Sequence, residues 1–227
     1  MKWFAVFVCL IAVAASEHCY KDAKEACHPT SPDVTFSNCD AKFGKAANYM
    51  NRLNDYFNMH ISRSLQYLMM SSHFGGYKME RDGFKKLYRK LSDTAWDDAI
   101  DVIKYMTLRG EKIDLKPYYD SEKEDRSTIF QGEPLALNEV ESLSKAVDIQ
   151  KKLAEEAHSI YKVANEHDPE MGAFVEDTFM HKHAKTIREL VGYTTELKRL
   201  VEIDPESPQR SVGLQVFLLD EYLKKNL

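Results

Sequence analysis

The residues best placed to do chemistry are cysteines, histidines and aspartates. Cys9, Cys19, Cys27 and Cys39 all lie near the start of the chain, and Cys9 sits in an apolar run expected to be removed. Three thiols in an oxidising compartment read as one intrachain bridge plus one cysteine that pairs with another chain, with the connectivity open and a free buried thiol as the alternative. Spacings of eight and twelve fit no zinc-ligand pattern, and only His18 and His28 are near. His181 and His183 are two positions apart on a helical pattern, so they point to different sides and do not chelate together. Asp93, Asp97 and Asp101 recur every four residues as one helical stripe, which reads equally as a cation-attracting face or a solvated one. Lys86, Arg89 and Lys90, one to two turns earlier, weaken cation attraction there. No phosphate-binding glycine loop, serine nucleophile elbow or zinc-protease pattern is present, so those enzyme classes have no residue support.

The chain that must position these groups has 227 residues, 44% hydrophobic and 30% charged, with 9 Gly and 7 Pro. That is the profile of a globular protein able to bury a core. A net charge of -5 without a long basic run argues against nucleic acid as a partner. Lys2 precedes an apolar run from Trp3 to Ala15 that ends in small residues, the pattern of a secretory signal peptide over 1–15. The run is shorter than the roughly 20 residues needed to span a bilayer. The expected product is a soluble extracellular protein, exported through the endoplasmic reticulum and Golgi, with no membrane contact.

Residues 16–38 are polar and broken by Pro29 and Pro32, which reads as a cysteine-containing extension without its own core. The domain expected over 39–227 is all-α. Steps of three and four predict a long helix from Cys39 to Phe74, through Phe43, Ala46, Ala47, Leu53, Phe57, Leu65 and Leu68. Gly75-Gly76 follows, where a left-handed cap is easy. A second helix is predicted from Arg81 to Leu108, stopping at Gly110. A stretch from Glu111 to Pro134 has no sustained period, although Ile113-Asp114-Leu115 reads as a short extended piece. Two more helices are predicted over Leu135 to Asn165 and from Asp168-Pro169 to Val201, the latter with Val191 in its apolar stripe, and a short fifth over Val212 to Leu223. A four-helix bundle with one long crossover and a short fifth helix is the expected fold. Period and loop length leave open a secreted helical signalling protein and a cage-forming storage subunit.

Particular stretches separate those two. Asn58 to Phe74 (NMHISRSLQYLMMSSHF), Phe84 to Gly110 ending in MTLRG, Tyr161 to Phe179 (YKVANEHDPEMGAFVEDTF) and Val216 to Leu223 (VFLLDEYL) resemble a ferritin, most closely the light-chain type of secreted insect ferritins. The resemblance implies a ferritin-like bundle in a hollow cage of about two dozen subunits around an iron mineral. Its partners would be further copies of itself and a ferritin heavy chain.

The resemblance also implies a set of site positions. Active ferritin chains hold two irons with Glu on the first helix, Glu-x-x-His on the second, Glu on the third and Gln on the fourth, because hard carboxylate oxygens and one imidazole suit iron. At those places stand His60, Ala95, Asp98, Gln150 and His183. The expectation is that ferroxidase ligands are lost, catalysis is absent, and iron is handled as stored mineral with no cofactor at a dedicated site. A ferritin with an atypical di-iron site of its own is the enzymatic rival. His60, Asp98 and His183 could hold one transition metal, against a buried hydrogen-bonded cluster as the plainer reading. Asp93 and Asp97 match acidic positions of the family's light chains, which makes Asp93, Asp97 and Asp101 candidates for mineral nucleation. Glu176 matches one of two acidic pore residues, while Ala173 replaces the other and Asp177 lies beside it.

Overall fold

The computed structural model describes residues 19–27, 36, 39–43, 49–115, 138–202 and 208–227. The expected signal peptide over 1–15, Pro29, Pro32, Ala46, Ala47 and most of the crossover, 116–137, lie outside the described residues. The chain forms two compact units, residues 1–41 and 42–227.

In the first unit, helix α1 (Cys19–Cys27) occupies a segment expected only as a polar extension. Cys19 and Cys39 are joined by a disulfide with Cα atoms 4.5 Å apart, which leaves Cys27 as an exposed free thiol.

The second unit is built from α2 (Met50–Phe74), α3 (Asp82–Leu108), α4 (Glu139–His167), α5 (Pro169–Val175), a π-helical segment (Glu176–Met180), α6 (His181–Glu202) and α7 (Pro208–Asn226). Cross-helix hydrogen bonds show how they run. Ser64 on α2 bonds the Ser92 carbonyl on α3, and Ser71 bonds Lys85, so α2 and α3 are antiparallel. Tyr67 donates to the Ala146 carbonyl and Arg52 to Ser159, so α2 and α4 are antiparallel too. Tyr88 donates to Ser142 at 2.6 Å and Arg81 to Glu139 at 2.9 Å, which puts the starts of α3 and α4 side by side. Since α3 and α4 run parallel, the chain must return the length of a 27-residue helix, about 40 Å at 1.5 Å per residue. That is why a long crossover is needed. Its first part, 111–115, lies along α2, with no strand there; Asn54 bonds both the amide and the carbonyl of Asp114, at 2.8 and 2.9 Å.

Local signals account for several helix ends. Asn138 caps α4 in a reciprocal capping box with Glu141. Asp168 accepts from the Met171 amide and Pro169 opens α5. Gly110 takes the left-handed conformation (φ 74°) that stops α3. At the end of α2 the expectation fails: Gly75 stays right-handed, and the left-handed residue of that turn is Glu80 (φ 53°). The start of α3 has no cap of its own. The Phe84 amide instead donates to the Asp220 side chain of α7 at 3.0 Å. Gly83 makes this approach possible, since a Cβ there would lie 2.0 Å from the Asp220 carbonyl oxygen.

The first predicted helix differs most from the structure. It starts at Met50, not Cys39, and Phe43 is 60% exposed, its ring 4.0 Å from the Arg109 guanidinium. Arg109, buried, also donates to Asp168 at 2.7 Å, to Glu170 and to the Phe43 carbonyl, so MTLRG ends in a node joining α3 to the α4–α5 turn. Leu65, Leu68 and Val191, read as core, are exposed. The fourth predicted helix is interrupted by the π segment, and the fifth is longer than predicted.

Candidate functional site

Midway along the bundle, four elements bring polar side chains to one buried place. Tyr56 and His60 are one turn apart on α2, and Ala95 and Asp98 nearly so on α3, so each pair shares a face. Gln150 comes from α4, and Lys182 and His183 from the first turn of α6. The π segment supplies Phe179, whose ring lies against His60 and His183 with centroids 5.7 and 6.4 Å away. A π turn holds one residue more than an α turn and so rotates the residues after it about the helix axis. The structure thus collects all five positions read from the sequence, and each is buried.

The hydrogen bonds run in one direction. The Gln150 amide oxygen can only accept, so His183 carries its proton on Nδ1 and donates across 3.3 Å. His183 Nε2 therefore accepts from the Tyr56 hydroxyl at 2.7 Å. Gln150 Nε2 donates in turn to Tyr67, and Tyr67 to the Ala146 carbonyl. His183 is locked as a neutral imidazole with both nitrogens engaged. Burial agrees, pushing it down to about 4.

His60 stands outside that chain. It is 0% exposed, neither ring nitrogen has a hydrogen-bond partner, and Nδ1 lies 3.9 Å from the Asp98 carboxylate. Burial, with His183 and Lys182 adding to it, holds the ring well below its usual value and so neutral. Asp98 is pushed up to about 6 by burial, against the pull of the Lys182 ammonium that pairs with its other oxygen. At neutral pH the cluster thus carries one anion and one cation of its own. For a metal this leaves His60 and one Asp98 oxygen, because Ala95 has no donor and Lys182 already holds a positive charge against the only carboxylate among the five positions. Among the described residues no group of three or more His, Cys, Asp and Glu is placed to hold a metal ion. Lys182, Tyr56 and Tyr67 are additions that the sequence reading does not contain; the adjacency of Lys182 to His183 is the one signal it offers for them.

The other candidate residues lie elsewhere. Asp93 pairs with Arg89 at 2.9 Å and Asp101 with Lys104 at 3.3 Å, and Asp97 is exposed. Glu176 is exposed at the start of the π segment and accepts a hydrogen bond from Tyr161.

Residues 50–200 match the ferritin-like domain. The chain belongs to the ferritin family. It is 34% identical over 230 residues to the ferritin light chain of Trichoplusia ni, covering 96% of each chain. It is also 34% identical to the ferritin light chain of Drosophila melanogaster, covering 99% of this chain and 100% of that one. The crystal structure of Trichoplusia ni secreted ferritin superposes with a TM-score of 0.82 at 35% identity, covering 93% of this chain and 100% of the other. The ferritin bundle, with its crossover and fifth helix, is therefore the fold of this chain, and ferritins form multi-subunit cages that store iron as a mineral.

Proposed function

We propose that this ferritin chain is a non-catalytic, light-chain-type subunit of a secreted cage for iron storage and transport, co-assembling with a ferroxidase-bearing heavy chain. The observation that carries this reading is Lys182 paired with Asp98. Two ferrous ions close together repel strongly in a partly desolvated site, and several carboxylates are needed to offset that repulsion. Here Ala95 supplies none, His183 is committed to Tyr56 and Gln150, and the one carboxylate faces an ammonium. His60, Ala95, Asp98, Gln150 and His183 are thus the remains of a ferroxidase centre, and residues 1–15 are a signal peptide leading through the endoplasmic reticulum and Golgi. Glu176 contributes to a pore and Asp93, Asp97 and Asp101 to mineral nucleation, weakly where Arg89 and Lys104 pair with them. The exposed Cys27 thiol supplies a disulfide to the heavy chain. Initial rates of Fe(II) oxidation test the catalytic part: this chain alone should match a protein-free control, while a mixed shell with heavy chain turns over rapidly. Saturable, oxygen-consuming turnover by the chain alone would refute it. Non-reducing electrophoresis tests the bridge. A heterodimer band lost in Cys27→Ser supports it, and only monomers without reductant overturn it.

A further inference from the structure

Between the last turns of α2 and the first half of α3 lies a groove of about 700 Å³. Lys85, Lys86, Arg89 and Lys90 line it. Asp93 and Asp97 stand at the same groove, as does Leu227. Cationic side chains therefore outnumber anionic ones in the lining. Their partners sharpen the asymmetry: Arg89 is neutralised by Asp93, and Lys86 donates to a neutral acceptor, the Lys224 carbonyl, at 2.8 Å. The Lys85 and Lys90 ammonium groups make no hydrogen bond or ion pair among the described residues, Asp82 acting on Lys85 only through its longer-range charge. Gly75 on the α2 side leaves room for the Lys85 stem, since a Cβ there would come within 2.8 Å of it. Ser72 and Thr94 add hydroxyl donors to the lining.

We propose that this groove is a binding site for inorganic phosphate. Ammonium groups and hydroxyls are the donors a tetrahedral oxyanion needs, and the volume admits one with part of its hydration shell. An extended polyanion fits less well, because the net charge of -5 on the whole chain repels it beyond the local cluster. The site takes an anion beside Asp93 and Asp97, two of the residues proposed above to nucleate mineral, and its binding to iron-stripped protein is read separately from that role.

Equilibrium dialysis of the assembled, iron-stripped protein against radiolabelled phosphate at low ionic strength tests this. Saturable binding of about one phosphate per copy of this chain is expected, weakening as salt rises. Lys85→Gln with Lys90→Gln should weaken it roughly tenfold, about the worth of two exposed charge contacts. Lys104→Gln, which removes an exposed cation paired with Asp101, should leave it unchanged. No saturable binding overturns the proposal. So does equal loss in Lys104→Gln, which would mark diffuse surface attraction. Circular dichroism on each variant separates lost binding from lost folding, and a misfolded pair is replaced by Lys90→Gln alone, expected to weaken binding several-fold.

Discussion

Replacing Asp98 by Asn should stabilise this ferritin chain at neutral pH, although it removes an ion pair. Burial raises the Asp98 carboxyl from 3.8 to about 6 even with Lys182 beside it. A group whose folded-state value lies above its unfolded one contributes stability that is fully present below pH 3.8 and is lost as pH rises through about 6. At 1.36 kcal/mol per pK unit, holding the ionised form in the folded protein above pH 6 costs roughly 3 kcal/mol. Asn resembles the protonated acid in shape and carries no charge at any pH. The Lys182 side chain it leaves behind is 41% exposed, so its ammonium can hydrate. The gain should approach that 3 kcal/mol at pH 7.5 and shrink to a few tenths of a kcal/mol near pH 3.8. Urea unfolding of both proteins in the same assembly state at the two pH values measures it. A variant less stable than the parent at pH 7.5, or an equal difference at both values, would refute the reasoning.

His183 acts in the opposite direction: its folded-state value of about 4 lies below 6.5, so the stability it supports is complete above pH 6.5 and lost as pH falls towards 4, by roughly 3 kcal/mol. His183→Gln should flatten that acid loss in the same unfolding series. Gly83→Ala forces a methyl onto the Asp220 carbonyl and should cost at least 1–3 kcal/mol, read as a fall in Tm with faster proteolysis of α7. Arg109→Ala strips a buried Asp168 of its cation and should cost about 3–5 kcal/mol. Arg109→Lys should recover only part of this, since a single ammonium cannot reach Asp168, Glu170 and the Phe43 carbonyl together.

The helices are legible in the sequence because long amphipathic segments repeat a 3.6-residue signal many times, and the Asp168-Pro169 start can be read from two residues alone. Position 60 can be placed because the stretch from Asn58 to Phe74 resembles the family's first helix, which fixes its register. The features that escape such a reading depend on groups distant in sequence. Phe43 continues the helical period of α2, but Arg109, far along the chain, draws it into a stacking contact. Leu65 and Leu68 satisfy the same period and are nevertheless exposed, because a periodic stripe does not report how much of it a neighbour covers. The π segment inserts a residue that composition does not mark. Lys182 escapes because a lysine next to a buried histidine reads as surface, whereas its long stem lets the ammonium reach Asp98 from a half-exposed position. Three cysteines allow three pairings, and only the backbone distance selects Cys19 with Cys39.

The Asp220 cap has a consequence for the order of folding. The α2–α3 hairpin is local in sequence, closes over a short turn, and needs little chain to form. Its α3 end, however, waits for a carboxylate 136 positions further along. Contacts of such separation form late, because the loop-closure entropy must be met before they give anything back. The first turn of α3 should therefore stay frayed in early folding intermediates and become protected from hydrogen exchange only as α7 docks. In pulse-labelling, the Phe84 amide should follow the kinetics of α7 and not those of the hairpin to which it belongs.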